Sequence, residues 1–384
     1  MKIARVVATP LHIAVEVDVA GQKKTPSLSC VVVRIDTDTG LVGCGFTAIT
    51  EEEVVATVVN EIASPALEGE DPLRIERLWD RLYWLLTPRG QSGYGSHAIA
   101  AIDIALWDLK AQAAGLPLWR LLGGARPAVP AYATFGFGFI ERDALGAAAR
   151  SWVERGFRHL KMTVGQHALQ RRDEPRPIAG VIAEDARRIR AVRDAVGDDI
   201  EISIDANCSL DPLHAIEIGR HARDLGVALF EEPITHNDVR QLKVVRERTG
   251  LPLCGGQNEG LASRFADFLV EGALDVLQPN VAISGGYTQC LRIAGMAQAF
   301  NVAIGNGGAW PFHNMHLHGG LAHGGFVEYH VVAALLCERL FTGLPKPVDG
   351  MLPLPDAPGL GFVPDWDAIA ELAKVALSRG KGKA

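Results

Sequence analysis

The chain has 384 residues, of which 48% are hydrophobic and 22% charged, and its formal net charge is -7 at pH 7. This length exceeds one ordinary domain, so we expect two domains with apolar cores. The acidic balance and the lack of a dominant Lys and Arg stripe argue against binding to a nucleic-acid backbone and favour a small solute as partner.

The six cysteines stand far apart without a CxxC pair, which is typical of proteins from a reducing compartment. The amino terminus lacks the uninterrupted apolar stretch and cleavage site of a leader peptide. No segment supplies the roughly 18 consecutive apolar residues that a membrane span needs. These features predict a cytoplasmic protein that binds neither membrane nor nucleic acid. The basic stretch 379–383 indicates a solvated tail.

Residues 1–125 predict an α+β domain. Lys2–Val7, Ser29–Thr37 and Leu41–Phe46 alternate like antiparallel strands, with a turn at Asp38-Thr39-Gly40. The period becomes helical from Glu51 onwards, and further helices are expected at Arg74–Leu86 and Ala98–Ala114. The pair Gly123-Gly124 and the prolines that follow mark a hinge to the next domain.

Residues 126–345 repeat a unit of strand, loop and helix about every 25 residues. The eight predicted strands alternate with helices, which indicates a parallel β/α barrel. An open doubly wound sheet is the alternative, but the segment after the first strand lacks its glycine-rich phosphate fingerprint. Residues 346–384 are expected to pack back on the two domains. The long connection between Gly165 and Ile178 is typical of a lid or a subunit contact. The eight predicted strands cover Val129–Phe137, His159–Val164, Glu201–Asn207, Ala228–Pro233, Pro252–Asn258, Val276–Ala282, Val302–Gly307 and Phe326–Tyr329.

Polar residues end three successive strands of this predicted barrel. Asp205, Glu231 and Gln257 are separated by equal steps of 26 residues, one β/α unit each. Active sites of such barrels lie at the carboxyl ends of the strands, so the three side chains are expected at one height. Two carboxylates and an amide oxygen suit a hard cation, with Mg²⁺ as the default. The alternative is that these polar residues pair with Lys and Arg at the barrel mouth.

Several segments add to the three strand ends, and the whole set is Ala98–Gly124, Lys161, Asp205, Glu231-Glu232-Pro233, Gln257 and Val327-Glu328-Tyr329. With these motifs in this order, the chain resembles the enolase superfamily, and within it the mandelate racemase and muconate lactonizing enzyme group. The resemblance covers nearly the whole chain and implies an N-terminal α+β capping domain on a modified (β/α)7β TIM-type barrel. It also implies Mg²⁺-assisted removal of a proton next to a carboxylate, and a homo-oligomer.

The chain departs from the family pattern at three positions. Thr163 stands where the family's second-strand lysine serves as base, although Lys161 remains. Gln257 replaces the usual acidic third ligand, as an asparagine does in glucarate dehydratases of the superfamily, and Glu259 could substitute if its loop bends. Asn280 stands where racemase-type members carry an aspartate.

These departures speak against a two-base racemase and favour a lyase that needs one base and one acid, or one residue serving as both. We therefore expect a hydro-lyase, an acid-sugar dehydratase similar to the tartrate and galactonate enzymes. A racemase or epimerase, or a metal-binding relative without activity, stays as an alternative. The catalytic candidates are Lys161, His313 and Thr163. The expected substrate-binding residues are Asn207, Asn280, Asn306, Glu328 and Trp310.

Overall fold

The computed structural model describes residues 1–86, 93–165 and 178–380. The predicted lid or subunit contact falls almost wholly in 166–177, and the end of the predicted tail in 381–384; both lie outside the described residues.

The N-terminal domain is built on a three-stranded antiparallel sheet in the order β1-β4-β5. Strands β1 (Ile3–Ala14), β4 (Ser27–Thr37) and β5 (Val42–Ala48) match the three predicted strands, and β1 extends beyond its prediction. Pro10 interrupts the alternation but is tolerated because β1 is an edge strand of this sheet. A short hairpin of β2 and β3 fills the connection between β1 and β4, at Val17–Val19 and Gln22–Lys24.

Helices cover one face of this sheet, and the longest of them, α4, is buried along most of its length. Two glycines of β5 allow its close approach, since a Cβ on Gly45 would lie 1.8 Å from the carbonyl oxygen of Ala101. The helices are α1 (Glu52–Thr57), α2 (Ser64–Leu67, joined to α1 by a π-helical turn at Val58–Ala63), α3 (Ile75–Leu86), α4 (Tyr94–Ala113) and α5 (Leu118–Leu121).

Eight parallel strands then curl into the predicted barrel, in the order β12-β11-β10-β9-β8-β7-β6-β13. The last strand pairs with the first, with Val327 opposite Ala131. The amide of Asn306, which follows β12, donates to the carbonyl of Phe326, which precedes β13, at 2.9 Å. This hydrogen bond links the two strands at the ends of the order given above. The strands are β6 (Ala128–Gly136), β7 (His159–Thr163), β8 (Glu201–Asp205), β9 (Leu229–Glu231), β10 (Leu253–Gly255), β11 (Val276–Leu277), β12 (Ala303–Ile304) and β13 (Val327–His330).

Helices alternate with these strands, and a C-terminal segment follows. Strand β15 of this segment pairs with β6 of the barrel, whereas the final helix packs against β1 of the capping domain. The helices are α6 (Arg142–Glu154), α7 (Ile178–Val196), α8 (Pro212–Asp224), α9 (Val239–Thr249), α10 (Ala262–Glu271), α11 (Gly286–Ala299), α12 (Pro311–Gly320), α13 (Val331–Glu338) and α14 (Trp366–Gly380). The short C-terminal strands are β14 (Phe341–Thr342), β15 (Met351–Pro353) and β16 (Val363–Pro364). Among the described helices, none has the length and apolar character to cross a membrane.

A buried aspartate joins the capping domain to the barrel. Asp103 of α4 accepts hydrogen bonds from the amide of Thr288 at 3.0 Å and from its hydroxyl at 2.6 Å, at the start of α11. Burial raises the pKa of Asp103 to about 7, and these hydrogen bonds only partly oppose that shift.

Candidate active site

Lys161 lies at the centre of a buried charged cluster at the carboxyl ends of the barrel strands. Its Nζ donates to Asp205 Oδ2 at 3.0 Å and to Glu231 Oε1 at 2.8 Å, and it lies 2.9 Å from Glu328 Oε1. All four side chains are buried. The parallel register places Asp205 opposite Glu231 on adjacent strands, so both carboxylates reach the same ammonium group.

This cluster has more negative than positive charge. Burial and the nearby Asp205 raise the pKa of Glu231, since one lysine cannot compensate for three carboxylates. Burial lowers the pKa of Lys161, but Asp205, Glu231 and Glu328 outweigh it and hold that pKa well above its usual value. Burial also raises the pKa of Glu328, but Lys161, together with His330 and two hydrogen bonds, outweighs burial and gives a net lowering. The side chains of the cluster therefore favour additional positive charge.

A cleft of about 170 Å³ opens above this cluster. Its lining includes six of the sequence-predicted site residues, namely Lys161, Thr163, Asp205, Asn207, Gln257 and Glu328. The capping domain contributes Ile49, which is 52% exposed and has a φ of 55°. A left-handed backbone is unusual for a β-branched residue, and such strain clusters at functional sites.

Gln257 follows β10 and is buried at the edge of this cleft. Its Nε2 donates to Glu232 Oε2 at 2.8 Å, whereas its Oε1 is buried without a hydrogen-bond partner. The alternative ligand, Glu259, instead pairs with Arg264 at 3.3 Å and does not line the cleft in the described part of the chain.

The donor chemistry of these residues fits a hard divalent cation. Asp205 and Glu231 offer carboxylate oxygens, and the unpartnered Gln257 Oε1 offers a neutral third oxygen. In the described ranges no group of three or more His, Cys, Asp or Glu side chains is arranged to hold a metal ion. Lys161 Nζ lies between the two carboxylates, and a cation would have to share them with it.

Two other predicted substrate ligands have their polar groups occupied by the protein itself. Asn280 Nδ2 donates to the carbonyls of Gly307 at 2.8 Å and Gly308 at 3.0 Å, and its Oδ1 accepts from Asn314 at 3.0 Å. Asn306 donates to Gly307 and accepts from the amide of Glu328 at 3.0 Å. Both asparagines are fully buried and hold the loop after β12 in place.

Trp310 and His313 lie in an apolar core beside the capping domain. The His313 ring stacks on Phe46 with centroids 4.7 Å apart, and Trp310 packs on the same ring at 4.9 Å. Burial lowers the pKa of His313 to about 3, and neither of its ring nitrogens has a hydrogen-bond partner. Asn280, Asn306, Trp310 and His313 are all absent from the cleft lining that the described residues form.

The histidine that does line the cleft is His330, which the sequence reasoning missed. Its Nδ1 accepts from the amide of Ala333 at 3.4 Å and caps α13, so the neutral ring carries its proton on Nε2. Burial lowers the pKa of His330, and Lys161 acts in the same direction, against the opposing effect of Glu328. Its position in the sequence could have identified it, because His330 is the last residue of β13, just as Asp205 is the last residue of β8.

Two family models match the chain. Residues 2–123 match the model of the mandelate racemase / muconate lactonizing enzyme N-terminal domain, and residues 144–368 match that of the enolase C-terminal domain-like family. The chain is 32% identical over 352 residues to 3,6-anhydro-alpha-L-galactonate cycloisomerase of Streptomyces coelicolor, covering 89% of this chain and 91% of that protein.

Two further matches name dehydratases. The chain is 29% identical over 342 residues to arabinonate dehydratase of Saccharolobus solfataricus, covering 87% of this chain and 88% of that protein. It is also similar to the crystal structure of L-talarate dehydratase from a Polaromonas species complexed with Mg and L-glucarate. The TM-score is 0.83 and the identity 30%, with 96% of each chain covered.

Proposed function

The chain belongs to the mandelate racemase and muconate lactonizing enzyme group of the enolase superfamily, and we propose that it is a Mg²⁺-dependent acid-sugar dehydratase. The proposed reaction removes the α-proton of a hydroxy carboxylate and eliminates the β-hydroxyl as water. The supporting observation is Lys161, which lines the cleft and whose Nζ contacts three buried carboxylates from separate strand ends.

Asp205, Glu231 and Gln257 are the residues proposed to hold the cation. When bound, the cation supplies positive charge that stabilises the negative charge developing on the substrate carboxylate and weakens the anionic field that keeps Lys161 protonated. The choice of Gln257 as third ligand follows from its unpartnered Oε1.

Lys161 is proposed to serve as both base and acid, because it is the only lysine among the described residues that line the cleft. As a free amine it accepts the proton from the α-carbon, and as the resulting ammonium it donates that proton to the β-hydroxyl, which leaves as water. The C–H electron pair forms the new double bond, and the enol product tautomerises to a 2-keto-3-deoxy acid. Thr163, Asn207 and His330 line the same cleft and are proposed to bind substrate hydroxyl groups.

A cycloisomerase is the second candidate, favoured by the 32% identity to the Streptomyces enzyme. The same proton transfer through Lys161 would then deliver the proton to a ring oxygen at the β-carbon. The ring opens and no atoms are lost, so the product is an isomer of the substrate rather than its dehydrated form.

The test is incubation with Mg²⁺ and a panel of aldonic, aldaric and 3,6-anhydro acids in D₂O, followed by NMR and mass spectrometry. A dehydratase gives a 2-keto-3-deoxy acid, and a cycloisomerase gives a keto acid of unchanged composition. An epimerase gives α-deuterium without either product, and absence of both product and exchange with every acid would contradict all three enzymes.

The residue assignment is tested with Lys161→Ala, which should lower turnover by about 10² to 10⁴-fold, the range for loss of general acid–base catalysis. The control is Lys346→Ala, which removes an exposed lysine that is not part of the cleft lining and should keep wild-type turnover. Full activity of Lys161→Ala would contradict the assignment.

A further inference from the structure

A buried arginine lies behind one wall of the cleft. Arg188 of α7 is only 7% exposed, and in the described structure it is not among the residues that line the cleft. Burying a guanidinium group is unfavourable unless its N–H groups are hydrogen-bonded and its charge is compensated. The partners of Arg188 therefore show which part of the molecule it holds.

Two hydrogen bonds of Arg188 go to backbone carbonyls of the loop that follows β6. Its Nη1 donates to the carbonyl of Ile140 at 2.6 Å, and its Nη2 donates to the carbonyl of Phe137 at 3.0 Å. The amide of Ile140 also donates to the carbonyl of Phe137 at 3.0 Å, so the guanidinium group spans the two ends of one turn. A guanidinium presents its donors in a rigid planar fork, whereas a lysine ammonium is a point charge on a flexible chain. Arginine is thus suited to fix this turn in one position.

Asp185, one helical turn before Arg188, fixes the next strand end. Its Oδ2 accepts from the amide of Gly165 at 2.7 Å, and its Oδ1 lies 3.9 Å from Arg188 Nε. Residues three apart in a helix lie on the same face, so both side chains reach the barrel from one side of α7. Gly165 follows β7, and its φ of 61° is in the left-handed region that favours glycine. One face of α7 therefore holds the backbone after β6 and after β7.

The turn held by Arg188 carries a wall of the cleft. Phe137 and His330 both line the cleft, and their rings are in contact with centroids 5.0 Å apart. The Phe137 ring also stacks on Phe139, with centroids 5.4 Å apart. We propose that Arg188 is a positioning residue that holds Phe137, and through it His330, at the wall of the substrate cleft; this rests on the function proposed above.

This role differs from that proposed for Lys161. A wall that contacts the substrate throughout the reaction contributes equally to binding in the ground state and in the transition state. Loss of such uniform binding raises KM and leaves kcat unchanged, whereas loss of a proton-transfer group lowers kcat. Variants of Arg188 and of Lys161 should therefore affect different kinetic constants.

The first measurement is steady-state kinetics on the acid that the panel described above identifies. Arg188→Lys keeps a positive charge beside Asp185 but cannot bridge the two carbonyls, and KM should rise by about 3 to 10-fold, the effect of one lost hydrogen bond. The value of kcat should remain close to that of wild type. Phe137→Leu should raise KM in the same way, and the double variant should add little, because the two residues act through one another.

The second measurement follows the wall without any substrate. The ring signal of His330 is recorded by NMR in protein with ¹³C-labelled histidine and is assigned by its loss in His330→Gln. A neighbouring aromatic ring shifts such a signal, so Phe137→Leu defines its position when the Phe137 ring is absent. Arg188→Lys should move the His330 signal towards that position.

Arg193→Lys is the matched control. Arg193 is a half-buried arginine of the same helix, and its Nη1 donates to the carbonyls of Gly197 and Ile200 at 2.7 Å each. These carbonyls belong to the loop before β8, and Arg193 is not among the described residues that line the cleft. Its loss should lower stability in urea without changing KM or the His330 signal.

Arg188→Met is a second variant that keeps the aliphatic stem without the charge, and either Arg188 variant that folds in the urea assay serves the test. A wild-type KM, an unmoved His330 signal or fully additive effects with Phe137→Leu would overturn the proposal. Failure of both variants to fold would also overturn it, since Arg188 would then serve the fold as a whole.

The expected shift of the His330 signal together with no turnover of any acid would support the positioning role and contradict the dehydratase. Turnover with an unmoved signal would do the reverse. The two failures are therefore distinguishable.

Discussion

Two groups of polar residues at the barrel mouth, here called arcs, differ in their charge. The charged arc, defined as Lys161, Asp205, Glu231 and Glu328, has three carboxylates around one cation. The amide arc, defined as Asn280, Asn306 and Asn314, is a network in which side-chain amides bond to one another and to backbone carbonyls. Polarity at a strand end therefore does not identify reactive residues; the charged arc is distinguished by its unbalanced buried charge beside the cleft.

Lys161→Met gives the largest expected effect, because it leaves the three carboxylates of the charged arc buried without a cation. Removing one partner of a buried ion pair costs about 3–5 kcal/mol. We expect a loss of this size in the free energy of unfolding, measured by urea denaturation in EDTA, whereas Lys346→Met should match wild type. Unchanged stability would mean that the carboxylates are protonated rather than paired.

Addition of Mg²⁺ tests the charge imbalance of the same arc. A ligand at a hundredfold excess over its Kd stabilises the folded state by about 2.7 kcal/mol. Wild type in Mg²⁺ should gain stability of this order over wild type in EDTA, and Gln257→Leu should gain less. Equal gains in both would exclude Gln257 as a ligand.

Asn280→Ala tests the amide arc. It removes the donor to the Gly308 carbonyl and an acceptor for Asn314, and unsatisfied buried polar groups cost about 1–3 kcal/mol each. We expect lower stability in urea with an undiminished Mg²⁺ gain, while the exposed Gln298→Ala serves as control. If Asn280→Ala kept wild-type stability in urea but was no longer stabilised by Mg²⁺, Asn280 would act with the charged arc instead.

Asp103 is a buried carboxylate outside both arcs. It accepts hydrogen bonds from Thr288 rather than pairing with a lysine. Its pKa of about 7 in the folded state exceeds its usual value of 3.8, so folding takes up a proton between these two pH values. Stability from this group is present at pH 4 and is lost as pH rises towards 7, by at most about 1.4 kcal/mol per pH unit. Asp103→Asn should remove this dependence, so the difference in unfolding free energy between wild type and variant should change with pH. A constant difference would contradict the raised pKa.

The sequence predicted the barrel and the positions of Asp205 and Glu231, because a buried strand that ends in an acid is a local pattern. The roles of Asn280 and Asn306 were out of reach, since their partners are carbonyls of a loop whose conformation the residue types do not determine. His313 was a catalytic candidate because it lies near the start of a helix that follows a barrel strand. The sequence could not show that its ring stacks on Phe46 of the capping domain. His330 was missed although the strand-end rule applies to it.

The residues of the charged arc are far apart in the sequence, which affects how the cluster forms during synthesis and folding. Asp205 and Glu231 follow Lys161 by 44 and 70 residues, whereas Glu328 belongs to the last barrel strand, which must pair with the first. During synthesis from the amino terminus, Lys161 can meet two of its partners well before the third emerges from the ribosome. Its final ion pair thus forms only when the barrel closes, so an incomplete chain cannot assemble the whole cluster.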